Sequence, residues 1–271
     1  MMGQMKASLR ALPGALAASI VLVGCSPTPA EPEPSAVSTS TVRVLRTFDH
    51  DPTAFTQGLE IAGDELYEGT GLTGSSYVRV SSLATGEELR RVDLSPDVFG
   101  EGLTVTDDAV WQITWRDGIA YDRDPQTLQE RRQVSYDGEG WGLCASGDRL
   151  VMSDGSSTLT FRDPRSFDET SSVQVTSDGE PVSNLNELEC AEDGSVYANI
   201  WQSLDIARID PATGEITEMI DASPLWNSMT EDERSGADVL NGIAQIPGTD
   251  HFLVTGKRWP TMFEVQFTPR Q

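Results

Sequence analysis

Imidazole and thiol are nearly missing from this chain. Only two histidines, His50 and His251, and three cysteines, Cys25, Cys144 and Cys190, occur in 271 residues. Neither histidine stands in a Cys/His cluster, so a zinc site built on imidazole or thiolate is not expected. Positive charge is scarce too. Lys and Arg number 19 against 43 Asp and Glu, a formal net charge of −24. So acidic a surface would repel phosphate, which argues against nucleic acid and anionic phospholipid as partners. The apolar run from Ala11 to Val23 falls short of the ~20 residues a membrane-spanning helix needs.

That run has Lys6 and Arg10 before it and Leu22-Val23-Gly24-Cys25 after it, the layout of a secretory signal. The ending resembles a bacterial lipoprotein signal, which would make Cys25 the lipidated first residue of the mature chain. Residues 1–24 are then a removed leader, and residues 25–41 a disordered tether. The tether holds four prolines between Ser26 and Thr41 and no large aromatic, so it has little to bury. Residues 42–271 form one all-β domain. It is expected outside the cell, on the outer side of a bacterial cytoplasmic membrane, touching that membrane only through the lipid.

One short phrase recurs five times in that domain: Gln57-Gly58-Leu59, Glu101-Gly102-Leu103, Trp141-Gly142-Leu143, Asn186-Glu187-Leu188 and Asn241-Gly242-Ile243. The starts lie 44, 40, 45 and 55 residues apart, a period that suits the four-stranded blade of a β-propeller. After each phrase come a polar turn, an apolar-aromatic strand, an alternating strand and a polar fourth strand. The last unit, Asn241 to Phe267, has room for three strands only. The stretch Val42–Phe48 alternates like a strand and has no unit of its own, so it would complete the last blade and close a five-bladed ring. Ser223 to Asp238 is the one segment with helical character. It is a short helical insertion before the last blade, and Thr230-Glu231-Asp232-Glu233 in it resembles a capping box.

In such a ring the residue leading each phrase points to the central channel, at one height. Gln57, Glu101, Trp141, Asn186 and Asn241 would meet there, with Glu68, Trp115, Trp201 and Lys257 as a second row. Trp259 falls at a similar place in its unit. Aromatic walls, amides, two carboxylates and an ammonium are the profile of a small-molecule pocket. For Asn241 a purely structural hydrogen bond is the better reading, and of Lys257 and Arg258 one is surface. Cys144 and Cys190 follow the repeat leucine in neighbouring units. Export would permit a disulfide, but equivalent positions on adjacent blades are read as too far apart for one, and free buried thiols are expected.

Several longer stretches share one resemblance, in order along the domain: Phe55-Thr56-Gln57-Gly58-Leu59, Tyr67-Glu68-Gly69-Thr70-Gly71, Phe99-Gly100-Glu101-Gly102-Leu103, Gly140-Trp141-Gly142-Leu143, Leu185-Asn186-Glu187-Leu188-Glu189, Ala198-Asn199-Ile200-Trp201-Gln202 and Val254-Thr255-Gly256-Lys257-Arg258-Trp259-Pro260. They resemble the plant and bacterial glutaminyl-peptide cyclotransferases. The resemblance implies a five-bladed propeller that closes N-terminal glutamine to pyroglutamate with loss of ammonia, without an organic cofactor or catalytic metal. A structural calcium in the channel stays open. By the same resemblance Glu101 is the acid–base residue, and Gln57, Glu68, Trp115, Trp141, Asn186, Trp201 and Lys257 line the site; the ammonium of Lys257 is catalytic through the oxyanion it would hold. The partners implied are peptides or proteins beginning with glutamine, met by a monomer. Two rivals remain at this stage: a non-catalytic propeller lipoprotein that scaffolds envelope partners, and a metal-dependent propeller hydrolase.

Overall fold

The computed structural model describes residues 37–270 and, before them, only Gln4 and Ser8. The expected leader, Cys25 and the tether up to residue 36 lie outside the described residues. The chain starts with β1 (Ser38–Asp49) and then runs through hairpin-connected groups of strands. The first group is β2 (Thr56–Ala62), β3 (Glu65–Thr70), β4 (Tyr77–Ser82) and β5 (Glu88–Asp93). The second is β6 (Gly100–Val105), β7 (Val110–Thr114), β8 (Ile119–Arg123) and β9 (Glu130–Ser135). The third is β10 (Leu143–Ser146), β11 (Arg149–Ser153), β12 (Thr158–Arg162) and β13 (Glu169–Gln174), followed by the small hairpin of β14 (Thr176–Ser177) and β15 (Glu180–Pro181). Then come β16 (Leu185–Cys190), β17 (Val196–Ile200), β18 (Asp205–Ile209) and β19 (Ile216–Asp221). Two short helices, α1 (Ser223–Ser228) and α2 (Glu231–Gly236), precede β20 (Leu240–Gln245), β21 (His251–Gly256) and β22 (Thr261–Pro269). Thr230 and Glu233 do form a capping box at α2.

The fold is all-β, with several separate sheets. Three are four-stranded meanders, and one is eight-stranded in the order β16-β17-β18-β19-β1-β22-β21-β20. In that large sheet β1 runs antiparallel to β22 from Ser40 to Asp49 and parallel to β19 from Ser38 to Thr41. The ordered domain therefore begins at Ser38, not at Val42. The four extra residues are Ser and Thr, short side chains that strands tolerate, and their backbone pairs with the edge of β19.

Burial falls outward within each meander. β2, β6 and β16 are almost wholly buried, while β5, β9 and β13 are mostly exposed. The apolar side chains gather in five clusters, each drawing on two successive groups of strands. Tyr67, Val78 and Val80 meet Leu103, Val110 and Leu128; Trp111 and Ile113 meet Leu143, Leu150 and Phe167. Leu59 and Ile61 of the first group meet Ala244, Leu253 and Met262 of the last. Burying one such side chain stabilises the fold by roughly 1.5–3 kcal/mol, so these seams hold the sheets together.

The first strands of the five groups touch in cyclic order, β2 to β6, β10, β16, β20 and back to β2. The repeat glycines allow it. A Cβ on Gly58 would come 2.6 Å from the Leu103 amide nitrogen, and one on Gly102 would come 2.7 Å from that of Leu143. The fourth phrase has Glu187 where the others have glycine. Its carboxylate crosses the centre and accepts from the backbone N–H of Leu59 (3.1 Å) and of Ile243 (2.9 Å). Burial pushes this carboxyl well above the usual range, against the pull of those two N–H groups.

The same convergence corrects the expectation of free thiols. Cys144 and Cys190 form a disulfide, with 5.4 Å between their Cα atoms. Positions near the axis on neighbouring inner strands are close together; only the outer strands diverge. Cross-linking residues 46 apart in sequence removes enough unfolded-chain entropy to stabilise the fold by about 4 kcal/mol.

Candidate active site

A cavity of about 240 Å3 is lined by Phe55, Gln57, Phe99, Glu101, Trp115, Trp141, Asn186, Trp201 and Lys257. The leading residues of the repeat reach it through local irregularities. The ladder shifts register between Thr56 and Gly58, between Gly100 and Leu103, and between Leu185 and Leu188. A bulge of this kind bends a strand and re-aims a side chain, which turns Gln57, Glu101 and Asn186 toward the cavity. Trp115 and Trp201 sit one residue beyond β7 and β17, where the second strands end.

The walls are aromatic. Trp141 and Trp201 meet edge to face at 5.4 Å, as do Phe55 and Phe99 at 6.1 Å, while Phe99 and Trp115 meet tilted at 5.5 Å. Lys257 belongs to the turn after β21. Its N–H donates to the Val239 carbonyl (3.0 Å), and its own carbonyl accepts from the Asp238 N–H (2.8 Å). That clamp sends the ammonium inward, where it lies 4.9 Å from the Phe55 ring centre. Arg258, next in sequence, is exposed.

Glu101 is 5% exposed and Lys257 is 5% exposed. Neither side chain hydrogen-bonds or ion-pairs with another described residue. Burial pushes the Glu101 carboxyl well above the usual carboxylate range, against the pull of Lys257 and with the help of the Glu139 charge. Burial pushes Lys257 the other way, below its ordinary 10.5, while Glu101 and Asp238 oppose that shift. A buried acid and a buried amine, both moved toward neutrality and both unpartnered, can exchange protons with whatever enters.

Asn241 stands behind Gln57 and does not line the cavity. Its Nδ2 donates to the Thr56 carbonyl (3.0 Å) and to Gln57 Oε1 (3.1 Å). Because the Thr56 carbonyl can only accept, Asn241 must present nitrogen there, and Gln57 must answer with oxygen. The amide nitrogen of Gln57 is thereby left to donate into the cavity. Trp259 is likewise behind the site: fully buried, its indole N–H donates to the Asp238 carbonyl (2.8 Å) and supports the Lys257 turn.

Glu68 is the expected site residue that the structure places elsewhere. Both of its oxygens are taken: Oε1 accepts from Thr56 Oγ1 (2.7 Å) and meets His50 Nε2 (3.0 Å), and Oε2 accepts from Arg79 Nε (2.7 Å). Burial alone would raise its pKa, but His50, Arg79 and Thr56 outweigh it and bring the carboxyl down to about 2. The side chain faces the seam between the first and last groups of strands, on the other side of β3 from the cavity. Phe55 and Phe99 complete the walls instead. Each stands two residues before a leading residue, Gln57 or Glu101, a spacing visible in the repeat.

Among the described residues no group of three or more His, Cys, Asp or Glu side chains is arranged to hold a metal ion. The channel calcium left open by the resemblance finds no such ligand set among them.

The chain matches the family described as glutamine cyclotransferase over residues 16–267. It is 40% identical over 227 residues to the glutaminyl-peptide cyclotransferase of Arabidopsis thaliana, covering 83% of this chain and 71% of that protein. The crystal structure of Myxococcus xanthus glutaminyl cyclase superposes with a TM-score of 0.78 at 39% identity, over 87% of this chain and all of that one. A β-propeller domain, that of Myceliophteria thermophila Cps50 (Swd1), shares the fold at a TM-score of 0.50 and 10% identity, over 84% of this chain. The chain belongs to the glutamine cyclotransferase family.

Proposed function

We propose that the indole-lined cavity closes the N-terminal glutamine of a peptide or protein to pyroglutamate and releases ammonia, with Glu101 as the acid–base group. The chain is a glutaminyl-peptide cyclotransferase. One observation carries the site assignment: Glu101 and Lys257, both buried, line one cavity, and neither side chain has a partner among the described residues.

Both reacting groups are on one molecule, the α-amine and the side-chain carboxamide carbon. The enzyme's first task is to hold the folded-back conformer, and such positioning can supply about 7–11 kcal/mol of a barrier. The aromatic rings of the walls, Phe55, Phe99, Trp115, Trp141 and Trp201, would grip the aliphatic part of the side chain and exclude water. The α-ammonium first loses one proton to solvent, and from the resulting amine Glu101 takes a second as nitrogen attacks the carbon. The C–N bond to the amide nitrogen then breaks, and Glu101 returns the proton to that nitrogen, which leaves as ammonia. A carboxyl held above its usual pKa suits both transfers near neutral pH. Lys257, Asn186 and the freed N–H of Gln57 stabilise the oxyanion, each aimed donor contributing about 3–4 kcal/mol.

The test is a coupled ammonia assay. A Gln-initiated dipeptide should release one ammonia per pyroglutamyl product, unchanged by chelator, and an Asn-initiated one should release none. Silence with the Gln dipeptide would overturn the catalytic reading. Loss of activity in chelator would overturn its independence of metal. The scaffold alternative calls for a broad apolar surface, yet the large hydrophobic side chains exposed among the described residues are Val44 and Leu89.

The architecture proposed is a five-bladed propeller in which β1 completes the last blade. The cyclic contact of the five first strands and the five clusters between successive groups of strands support it. The protein is further proposed to be an exported monomer, lipidated at Cys25 and held outside the bacterial cytoplasmic membrane. The Cys144–Cys190 disulfide supports an oxidising compartment. Cys25→Ser should move the activity from the membrane fraction to the soluble one. An unchanged distribution would remove the lipid anchor from the proposal.

A further inference from the structure

We propose that Glu139, which does not line the cavity, is a positioning residue: it holds Trp115 and Trp141 as one wall and makes that wall attract the α-ammonium of the incoming glutamine. This rests on the cyclotransferase reading of the same cavity. Glu139 lies in the loop between β9 and β10, two residues before Trp141. Its Oε2 accepts from two indoles brought in by neighbouring groups of strands, Trp115 Nε1 at 2.8 Å and Trp141 Nε1 at 3.1 Å. Its Oε1 accepts from Arg116 Nε at 2.9 Å. The Arg116 guanidinium in turn stacks on Trp115, 3.8 Å from the ring centre. Two rings, one carboxylate and one guanidinium thus form a closed cluster, and the rings' remaining faces are cavity wall.

The cluster answers an electrostatic difficulty of the site. An N-terminal glutamine arrives mostly as an ammonium, and the one cationic side chain lining the cavity is Lys257. Glu101, raised by burial, offsets it only when ionised. Glu139 adds a standing charge. Its hydrogen bonds to Trp141, Arg116 and Trp115 overcome partial burial and keep the carboxyl below the usual range, so it is an anion at neutral pH. An indole whose N–H donates to an anion carries more electron density on its face, the face that attracts cations. Placed at the rings' edges, the charge strengthens both walls without neutralising Lys257 by direct contact. The same charge reaches Glu101 and helps keep its proton on.

Glu139→Gln keeps the shape and an oxygen acceptor while removing the charge. The expected result is a KM for a Gln-initiated dipeptide raised about tenfold, the reach of a cation–π contribution, with kcat within about threefold of wild type. The acidic limb of kcat/KM should move to lower pH, since Lys257, Glu139 and the Tyr136 hydroxyl are the titratable groups coupled to Glu101. Glu139→Asp, which retains the charge, should restore most of the KM change. A second measurement needs no turnover. In a Glu101→Gln background, indole fluorescence should report tighter binding of glutamine amide than of glutaramide, which lacks the α-ammonium. Adding Glu139→Gln should lower that preference about tenfold. A wild-type KM and an unmoved limb in Glu139→Gln, or an unchanged binding preference, overturns the assignment. If wild type itself releases no ammonia, the cyclotransferase reading fails, and the binding comparison still decides whether Glu139 serves a cation.

Discussion

Glu101→Gln should lower kcat for a Gln-initiated dipeptide by about 100- to 10,000-fold, the span a positioned acid–base group contributes. The substitution is nearly isosteric. Glu101 makes no hydrogen bond within the described protein, so the fold loses no partner, and the melting temperature should hold or rise as a buried ionisable group is removed. KM should change little, because the walls and amides remain. The pH profile gives the more searching result. As the base, Glu101 must be ionised, so wild-type activity should climb through a pKa above the ordinary carboxylate range, where burial holds it. Lys257 acts as a cation and is held below its ordinary 10.5, so activity should fall again on the alkaline side, earlier than a free lysine would dictate. Glu101→Gln should erase the acidic limb and Lys257→Met the alkaline one. Retained turnover in Glu101→Gln, or an acidic limb that survives it, would remove the acid–base role from this residue.

How far this could be read from the chain depends on which feature repeats. The phrase that begins each unit was legible because glycine is demanded by backbones meeting at the axis, and the axis imposes that demand in four of the five groups of strands. The variable residue before it was legible as a site for the same reason: a constant frame with a changing side chain. That logic placed Gln57, Glu101, Trp141 and Asn186, and by analogy Trp115, Trp201 and Lys257, around one cavity. It failed for Glu68, because residues on a strand face alternate sides and the bulge at Thr56–Gly58 shifts the partner strand's register. It failed for Cys144 and Cys190, because equivalent positions on adjacent units were taken as too far apart although the inner strands nearly touch. Glu139 holds the repeat position that Phe55 and Phe99 hold in their units, two residues before the leading residue, but there it is a carboxylate and not a ring. Its action through two tryptophans leaves no periodic trace.

The seam where Glu68 does sit should be the most sensitive structural point of the domain. Glu68 on β3 lies between His50, just past the end of β1, and Arg79 on β4, so it ties the first group of strands to the terminal strand. Both His50 nitrogens face acceptors, Nδ1 the Trp259 carbonyl at 2.7 Å and Nε2 the Glu68 carboxylate at 3.0 Å. Burial opposes the imidazolium, but Glu68 and that carbonyl outweigh it and raise the histidine above 6.5. Glu68→Gln would leave the buried His50 imidazolium without its anion and Arg79 with only the more distant Asp51 carboxylate at 3.6 Å, a loss of about 3–5 kcal/mol. For a domain of this size that is a fall of roughly 6–20 °C in melting temperature. The pH dependence follows from the two shifts. Glu68 is held at about 2, below the ordinary 4.5, so its contribution is whole above pH 4.5 and drains away as pH falls toward 2. His50 is raised, so its contribution is whole below pH 6.5 and is lost as pH rises through the folded value. The stability difference between wild type and Glu68→Gln should therefore be widest between about pH 4.5 and 6.5 and narrow on both sides, measured by thermal melts across that range. The folded variant should keep a wild-type KM. A KM raised tenfold at temperatures well below its melt would return Glu68 to the substrate, and a melting difference independent of pH would show that the seam does not rest on this ion pair.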